Sequence, residues 1–419
     1  MDSYKDKFFL WNYVTYTIIG NYVLVSNEYK TSYIRVPIEF FELLKYSYYN
    51  KIKMNDLFNY ISLELKDYFI LVLKSLEKME LLNSDIGFKF RTEFIPKVVI
   101  SVTNRCNLSC SYCCMDSGVD FKDDISTDEL KDIFTFSVGL KPNYINISGG
   151  EPLMRVGILE ELEYLRNIYD GYINLSTNAI LIDTNNIDRL LASIDQITIT
   201  LDGYDEFTCS LIRGKNTFYK VVDTIKNIKE KGFNNIVCSM VVGEQTEKNV
   251  EKFKKICNKL NVKYQLNTFM RIGKGEQDKY FLSNPSYVDY ISPYDYTDDN
   301  KANSCRAGEN QIFIDCKGNV FPCPLLTDDR YLIGNIFKDR NIDILKSEKK
   351  EGIIKLLDEN RSAKNKKCRN CEFNLFCIKC MYVMYFMNKD KRIFSENCKR
   401  RKVIQNQVLR GVKNENSDN

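Results

Sequence analysis

From Pro96 to Phe269 the chain alternates short β-prone runs with helix-patterned segments, and this alternation constrains the fold more than any other feature. Strands are predicted at Val98–Val102, Tyr144–Ile147, Tyr172–Leu175, Gln196–Leu201, Asn235–Val242 and Lys263–Phe269, with helices between them. Ser126 and Glu129 form a capping box for the first helix. Thr217 to Lys231 carries Phe218, Val221, Val222, Ile225 and Ile228 at helical spacing. Strands that alternate with helices pair in parallel through crossovers. Six such units predict an α/β fold, a partial (β/α)6 TIM-like barrel, with its site at the C-terminal ends of the strands.

The flanks read differently. Residues 1–90 open with β-rich runs at Tyr13–Ile19, Tyr22–Val25 and Ser32–Val36, separated by Gly20-Asn21 and Asn27-Glu28. Helical spacing follows at Phe40, Leu43 and Leu44 and at Phe69, Leu73 and Leu76, with Asn55-Asp56 before a third helix. This describes a small winged-helix-like domain. The barrel then occupies 91–275, a Tyr- and Asp-rich linker 276–300, a Cys-rich domain 301–400 and a basic tail 401–419. The Cys-rich part has too few periodic segments for a large core and is expected to need metal to fold. The net charge of +4 comes from the last twenty-one residues alone, and residues 1–90 hold 11 basic and 11 acidic side chains. Neither the whole chain nor its first domain has the charge of a nucleic-acid binder.

The chain has no His and 15 Cys. Without His there is no Ser-His or Cys-His nucleophile pair, no His-liganded zinc and no His base. The N-terminal apolar run Phe8–Trp11 is too short for a signal peptide, and no stretch reaches the ~18 apolar residues of a membrane span. A cytoplasmic chain is expected, in which clustered Cys serve as metal or cluster ligands and not as disulfides.

Cys106, Cys110 and Cys113 lie on the loop after the first barrel strand. Three thiolates on a cubane leave one iron without a protein ligand, open to a small molecule, whereas four would close it. A partial zinc site is the alternative for the same residues. This CX3CX2C loop resembles the defining signature of the radical S-adenosylmethionine (SAM) superfamily. The resemblance implies that SAM chelates the open iron through its amino and carboxylate groups and is cleaved by a cluster electron to a 5′-deoxyadenosyl radical. It implies that Tyr112 packs against adenine. It also makes Gly149-Gly150-Glu151-Pro152, Ser176-Thr177-Asn178, and Asp202-Gly203 with Arg213-Gly214 the SAM-contacting segments. Turn formation is the alternative for these polar residues. Many relatives carry a His-Asp pair where this chain has Asp205 and Glu206, and no role carries over to these two.

A second group comprises Cys305, Cys323, Cys368, Cys371, Cys377, Cys380 and Cys398. Their spacing resembles the SPASM extension of radical SAM enzymes that act on peptides, which holds two auxiliary 4Fe–4S clusters. The resemblance implies Cys368, Cys371, Cys377 and Cys398 for the distal cluster and Cys305, Cys323 and Cys380 for the nearer one. Three 4Fe–4S clusters and SAM are then the expected cofactors. Cys316 is either a fourth ligand or a residue of the Lys317-Gly318 hairpin turn, and a zinc ribbon is the rival for the CX2C pairs. Cys114, Cys209, Cys238 and Cys257 fit neither pattern and read as structural.

By layout, the N-terminal domain resembles the leader-recognition element of ribosomal peptide maturation systems, in which a precursor's leader adds as a strand to a sheet edge. Tyr33–Val36 is the candidate edge. The expectation is a radical SAM/SPASM maturase, sactipeptide-like, that installs a crosslink, preferentially a Cys thioether, in a precursor peptide. Flavodoxin or ferredoxin would supply electrons. The competing expectations are a side-chain oxidase of the sulfatase-maturing type and a metal-dependent DNA-binding regulator.

Overall fold

A computed structural model of the chain describes residues 4–27, 33–88, 95–123, 125–243, 245–276, 305–339, 342–360, 365–368, 371, 373–376, 380–389, 391–392, 394–396, 398–399 and 402. Two compact units form. The first takes Met1–Arg91, Asp298–Arg306 and Leu357–Asn419, and the second takes Thr92–Thr297 and Ala307–Leu356. The expected linker beyond Glu276, Cys377, and the basic tail apart from Lys402 lie outside the described residues.

In the first unit, β1 (Phe8–Phe9) precedes three antiparallel strands, β2 (Val14–Ile19), β3 (Tyr22–Asn27) and β4 (Tyr33–Pro37), in the order β2-β3-β4. Gly20, at φ 58°, makes the first turn. Helices α1 (Ile38–Tyr49) and α2 (Lys66–Lys78) follow, and β5 (Leu82–Asn83) returns to pair with β1. The third helix expected after Asn55-Asp56 is shorter, consisting of 3-10 turns at Asp56–Tyr60 and Leu63–Leu65. Phe41, Leu44, Met54, Leu57, Phe69, Leu73 and Leu76 fill one core. Leu375, from the Cys-rich part of the chain, packs with Leu24, Ile19, Tyr22 and Tyr33. Its backbone N–H donates to Thr17 Oγ1 at 3.3 Å.

In the second unit, β6 (Lys97–Ser101), α3 (Thr127–Gly139), β7 (Tyr144–Ser148), α4 (Ile158–Ile168), β8 (Tyr172–Thr177) and α5 (Ile187–Ala192) come first. They are followed by β9 (Gln196–Thr200), α6 (Glu206–Arg213), α7 (Thr217–Glu230), β10 (Ile236–Val242), α8 (Val250–Leu260) and β11 (Lys263–Thr268). Each of the six strands lies within one or two residues of its predicted range. The Ser126–Glu129 capping box is present. The strands pair in parallel in chain order from β6 to β11. This is the mixed α/β, partial-barrel class that the alternation predicts.

The sheet does not stop at β6. β12 (Gln311–Ile314) pairs with it in parallel, and β13 (Asn319–Phe321) and β14 (Gly334–Asn335) continue antiparallel, giving nine strands. The Cys316–Gly318 turn joins β12 to β13. Gly318 sits there at φ 74°, where an added Cβ would lie 2.6 Å from the Phe337 ring. The remaining helices are α9 (Ile336–Asp339), α10 (Glu348–Glu359) and, in the first unit, α11 (Met381–Lys389).

Along the barrel strands Val98, Ile100, Ile145, Ile147, Ile173, Leu175, Ile197 and Ile199 are buried on one face. Between them lie Val99 on β6 and the neutral polar side chains Asn146, Asn174 and Thr198 on β7, β8 and β9. Register sets Asn146 beside Asn174 and Ser176 beside Thr198. Thr198 Oγ1 donates to Asn174 Oδ1 at 2.9 Å, and Ser176 Oγ to Asn146 Oδ1 at 3.0 Å. No helix among the described residues is long and apolar enough to cross a membrane.

A buried ion pair locks the first two barrel units together. Arg155 donates to both Glu161 oxygens at 2.8 and 2.9 Å. It also donates to the carbonyls of Ile125 and Ser126 at 3.2 and 3.0 Å. With Glu161 fully buried, Arg155→Met strands a charge, at a cost of about 3–5 kcal/mol. Urea unfolding should show a loss of that size, and a change below about 1 kcal/mol would contradict this account.

Candidate active site

The cysteine loop follows β6 and is held by main-chain bonds at several points. Cys106 N–H donates to Gly118 O at 2.9 Å, Ser111 N–H to Ile212 O at 3.2 Å, and Cys113 N–H to Cys110 O at 3.2 Å. N–H groups also meet the sulfurs. Leu108 N–H donates to Cys106 Sγ at 3.5 Å and Ser117 N–H to Cys113 Sγ at 3.4 Å. Cys106 is buried and Cys110 and Cys113 are half-buried. Burial raises the Cys106 thiol and pushes Cys110 up to about 11, and each is raised further by the neighbouring thiols of the loop.

The Gly149-Gly150-Glu151 segment after β7 binds this loop directly. Gly150 N–H donates to Thr103 O and Glu151 N–H to Arg105 O, both at 2.8 Å. An added Cβ would come within 2.5 Å of Thr103 O at Gly149 and 2.2 Å of Arg105 O at Gly150. Both positions therefore require glycine, and the close approach they permit is to the cysteine loop itself.

Glu151 is fully buried. It accepts from Leu153 N–H at 3.1 Å, Thr177 Oγ1 at 2.8 Å and Asn178 N–H at 2.7 Å. Burial pushes its carboxyl up while these donors pull it down. The carboxylate thus ties the end of β7 to the end of β8. Pro152, buried, starts the 3-10 turn Pro152–Met154. Asn178 Nδ2 donates to Asn107 Oδ1 at 2.8 Å and lies 4.0 Å from Cys106 Sγ. Ser176 faces the amide network on the neighbouring strands.

Tyr112, Asp202 and Arg213 converge. The Tyr112 hydroxyl donates to Asp202 Oδ2, and Arg213 Nη1 bonds the same oxygen at 2.8 Å and the Tyr112 hydroxyl at 3.3 Å. Asp202, in the left-handed region at φ 57°, also accepts Val241 N–H at 2.7 Å. Burial first, then the Asp202 charge, hold the Tyr112 phenol well above its ordinary value. The ring packs beside Ile212, Phe269 and Val241.

Asp205 and Glu206, which carry no role in the sequence reading, cap helices. Asp205 accepts Thr208 N–H at 2.8 Å at the start of α6, and Glu206 accepts Phe218 N–H at 3.1 Å at the start of α7. Cys209 is buried, its thiol donating to Leu201 O. Cys238 and Cys257 are buried and Cys114 is exposed.

The loop suits a cluster. Sulfurs approached by main-chain N–H groups are the setting in which cluster thiolates are held and tuned. Ser111 Oγ, Ser117 Oγ and Arg213 Nε, in or against the loop, are buried without hydrogen-bond partners. No three Cys, Asp or Glu side chains among the described residues converge on one metal ion. When bound, a 4Fe–4S cluster would supply the electron for SAM cleavage, and Cys106, Cys110 and Cys113 would hold it.

Among the remaining Cys, Cys316 and Cys323 are buried in the second unit, and Cys305, Cys368, Cys371, Cys380 and Cys398 are half-buried in the first. Cys371 N–H closes a turn on Cys368 O at 2.9 Å. Cys380 O accepts Met384 N–H at 3.0 Å in the first turn of α11.

A cysteine loop at the end of the first strand of a parallel partial barrel is the construction of a SAM-cleaving iron–sulfur enzyme, and family comparison agrees. Residues 100–257 match the radical SAM superfamily, and residues 305–372 match SPASM, an iron-sulfur cluster-binding domain. Residues 100–257 thus carry a radical SAM domain and residues 305–372 a SPASM domain, and the chain is an enzyme. It is similar to the mycofactocin maturase MftC of Mycobacterium ulcerans, 27% identical over 267 residues, which is 58% of this chain and 72% of that protein. Its fold is similar to that of Streptococcus suis SuiB bound to precursor peptide SuiA, with a TM-score of 0.55 and 16% identity over 92% of this chain and 97% of SuiB. It is also similar to anSMEcpe with bound AdoMet and the Cp18Cys peptide, with a TM-score of 0.52 and 19% identity over 74% of this chain and 99% of that one.

Gly150→Ala should disrupt the loop through its 2.2 Å clash with Arg105 O. After anaerobic reconstitution this variant should lose the SAM-responsive EPR signal. Gly352→Ala, where nothing lies within 4 Å of the added Cβ, should keep it. A Gly150→Ala protein with the full signal would contradict the assignment of this contact.

Proposed function

We propose that this enzyme matures a ribosomally made precursor peptide by installing a crosslink, preferentially a thioether between a Cys sulfur and an α-carbon. The observation that carries the reading is the first unit. β4 pairs with β3 on one side only among the described residues, and α2 packs against it. A sheet edge flanked by a helix suits strand addition by an extended leader. The fold likeness to SuiB, captured with its precursor SuiA, extends over 92% of this chain, and the maturase MftC is among its sequence relatives. A side-chain oxidase needs no leader-binding unit.

In this reading Cys106, Cys110 and Cys113 hold the SAM-binding cluster. Tyr112, Gly149, Gly150, Glu151, Pro152, Ser176, Asn178, Asp202 and Arg213 shape the SAM site, mainly by fixing one another and the loop. The partner-free Nε of Arg213 is the donor left for a ligand carboxylate. The seven SPASM Cys would hold two auxiliary clusters, for three in all, with flavodoxin or ferredoxin as the electron source. Thioether formation gives the α-carbon's hydrogen atom to the 5′-deoxyadenosyl radical and the thiol proton to solvent, the remaining electron would pass to an auxiliary cluster, and each crosslink makes the peptide two hydrogens lighter.

Leu375 packs on the β2–β4 sheet, so deleting residues 1–90 would also strip a surface from the Cys-rich segment. A proline scan over Tyr33, Ile34 and Arg35 is cleaner, because alternate N–H groups of this strand face the open edge and the scan tests each in turn. At least one variant that still cleaves SAM should bind the precursor roughly tenfold more weakly. Wild-type binding by all three would overturn leader recognition at this edge. Anaerobic co-expression with a short Cys-containing precursor peptide, sought among the neighbouring open reading frames, should give a product lighter by two hydrogens per crosslink. A fully reconstituted enzyme that leaves the peptide's mass unchanged would contradict the activity.

A further inference from the structure

The segment Gly273-Lys274-Gly275, just after the last barrel strand, has no role in the account above, yet it reaches back to the cysteine loop. Lys274 N–H donates to Cys113 O at 3.0 Å. Its Nζ donates to Ser117 O at 2.6 Å and lies 3.4 Å from Ser109 Oγ. Gly273, at φ 58°, sits so close that an added Cβ would be 2.5 Å from Cys113 O and 2.8 Å from Cys114 O. Lys274 therefore grips both ends of the turn from Cys113 to Ser117. That turn aims the Ser117 N–H at Cys113 Sγ.

Hydrogen bonds to cluster sulfurs and nearby net charge are two of the means by which a protein sets an iron–sulfur reduction potential. Lys274 bears on both. Its bond to Ser117 O orders the N–H that meets the sulfur, and its ammonium places a positive charge beside a group that gains an electron on reduction. We propose that Lys274 is a positioning residue that raises the reduction potential of the cluster held by Cys106, Cys110 and Cys113. This rests on the radical SAM assignment and not on the identity of the peptide.

The test uses full-length enzyme, reconstituted anaerobically and poised at fixed potentials. The EPR change on adding SAM singles out this cluster from the others. In Lys274→Met the main-chain bond to Cys113 O remains, so iron content should stay near wild type. The reduced fraction at the wild-type midpoint should fall at least about threefold. Lys274→Arg, which keeps charge and donor, should restore it. An iron-replete Lys274→Met enzyme with the wild-type reduced fraction would overturn the proposal, as would failure of Lys274→Arg to restore it. If the Met variant does not hold iron, Lys274→Gln replaces it under the same criteria. If neither neutral variant loads, Lys274 only holds the loop together and the proposed effect on the potential is lost. Absence of any SAM-dependent EPR change in the wild type would instead refute the SAM assignment itself.

Discussion

The site depends on one close approach of two pieces of backbone. Gly150 and Glu151 donate their N–H groups to Thr103 and Arg105, and neither glycine of the pair could carry a side chain there. The cysteine loop is long and poor in apolar residues, so it cannot be ordered by burying its own side chains. It is ordered instead by bonds from neighbouring strand ends, Gly150–Glu151 after β7, Asn178 after β8 and Lys274 after β11. The parallel register brings these strand ends to one rim of the barrel, so the fold supplies the contacts that the loop lacks.

The charged groups at that rim mostly act on one another. Glu151 is met by three protein donors. Asp202 joins Tyr112, Arg213 and the backbone of Val241. Such groups pre-organise a site, because their orientations are set before a ligand arrives. On β7, β8 and β9 the side chains of Asn146, Asn174, Ser176 and Thr198 are neutral and bonded across register.

The barrel was legible from sequence because its signals are local. Each strand is a short run of β-branched or aromatic residues alternating with polar ones or following one another, bounded by turn signals, and Ser126 and Glu129 mark a helix start three residues apart. The cysteine loop was legible because cluster chemistry needs sulfur at fixed short spacing. What escaped depends on distant partners. The hairpin at Gly318 reads as a hairpin, but nothing in Gln311–Ile314 says that it will pair in parallel with Lys97–Ile100. Arg155 and Glu161 look like surface residues of an amphipathic helix start, yet they form a buried pair because the carbonyls of Ile125 and Ser126, just before α3, converge on the guanidinium. Lys274 lies between two glycines, which signals a turn but not the turn's target. The third N-terminal helix shrank to 3-10 turns, since Asn55-Asp56 announces a start without the periodic apolar length that sustains a helix.

Reductive cleavage of SAM is the most direct test of the whole account. Anaerobic enzyme with dithionite and SAM should release 5′-deoxyadenosine, and replacing Cys106, Cys110 and Cys113 together by Ala should reduce release to the level of a protein-free control. Undiminished 5′-deoxyadenosine from the triple variant would contradict the claim that these three thiols hold the cluster at which SAM is broken.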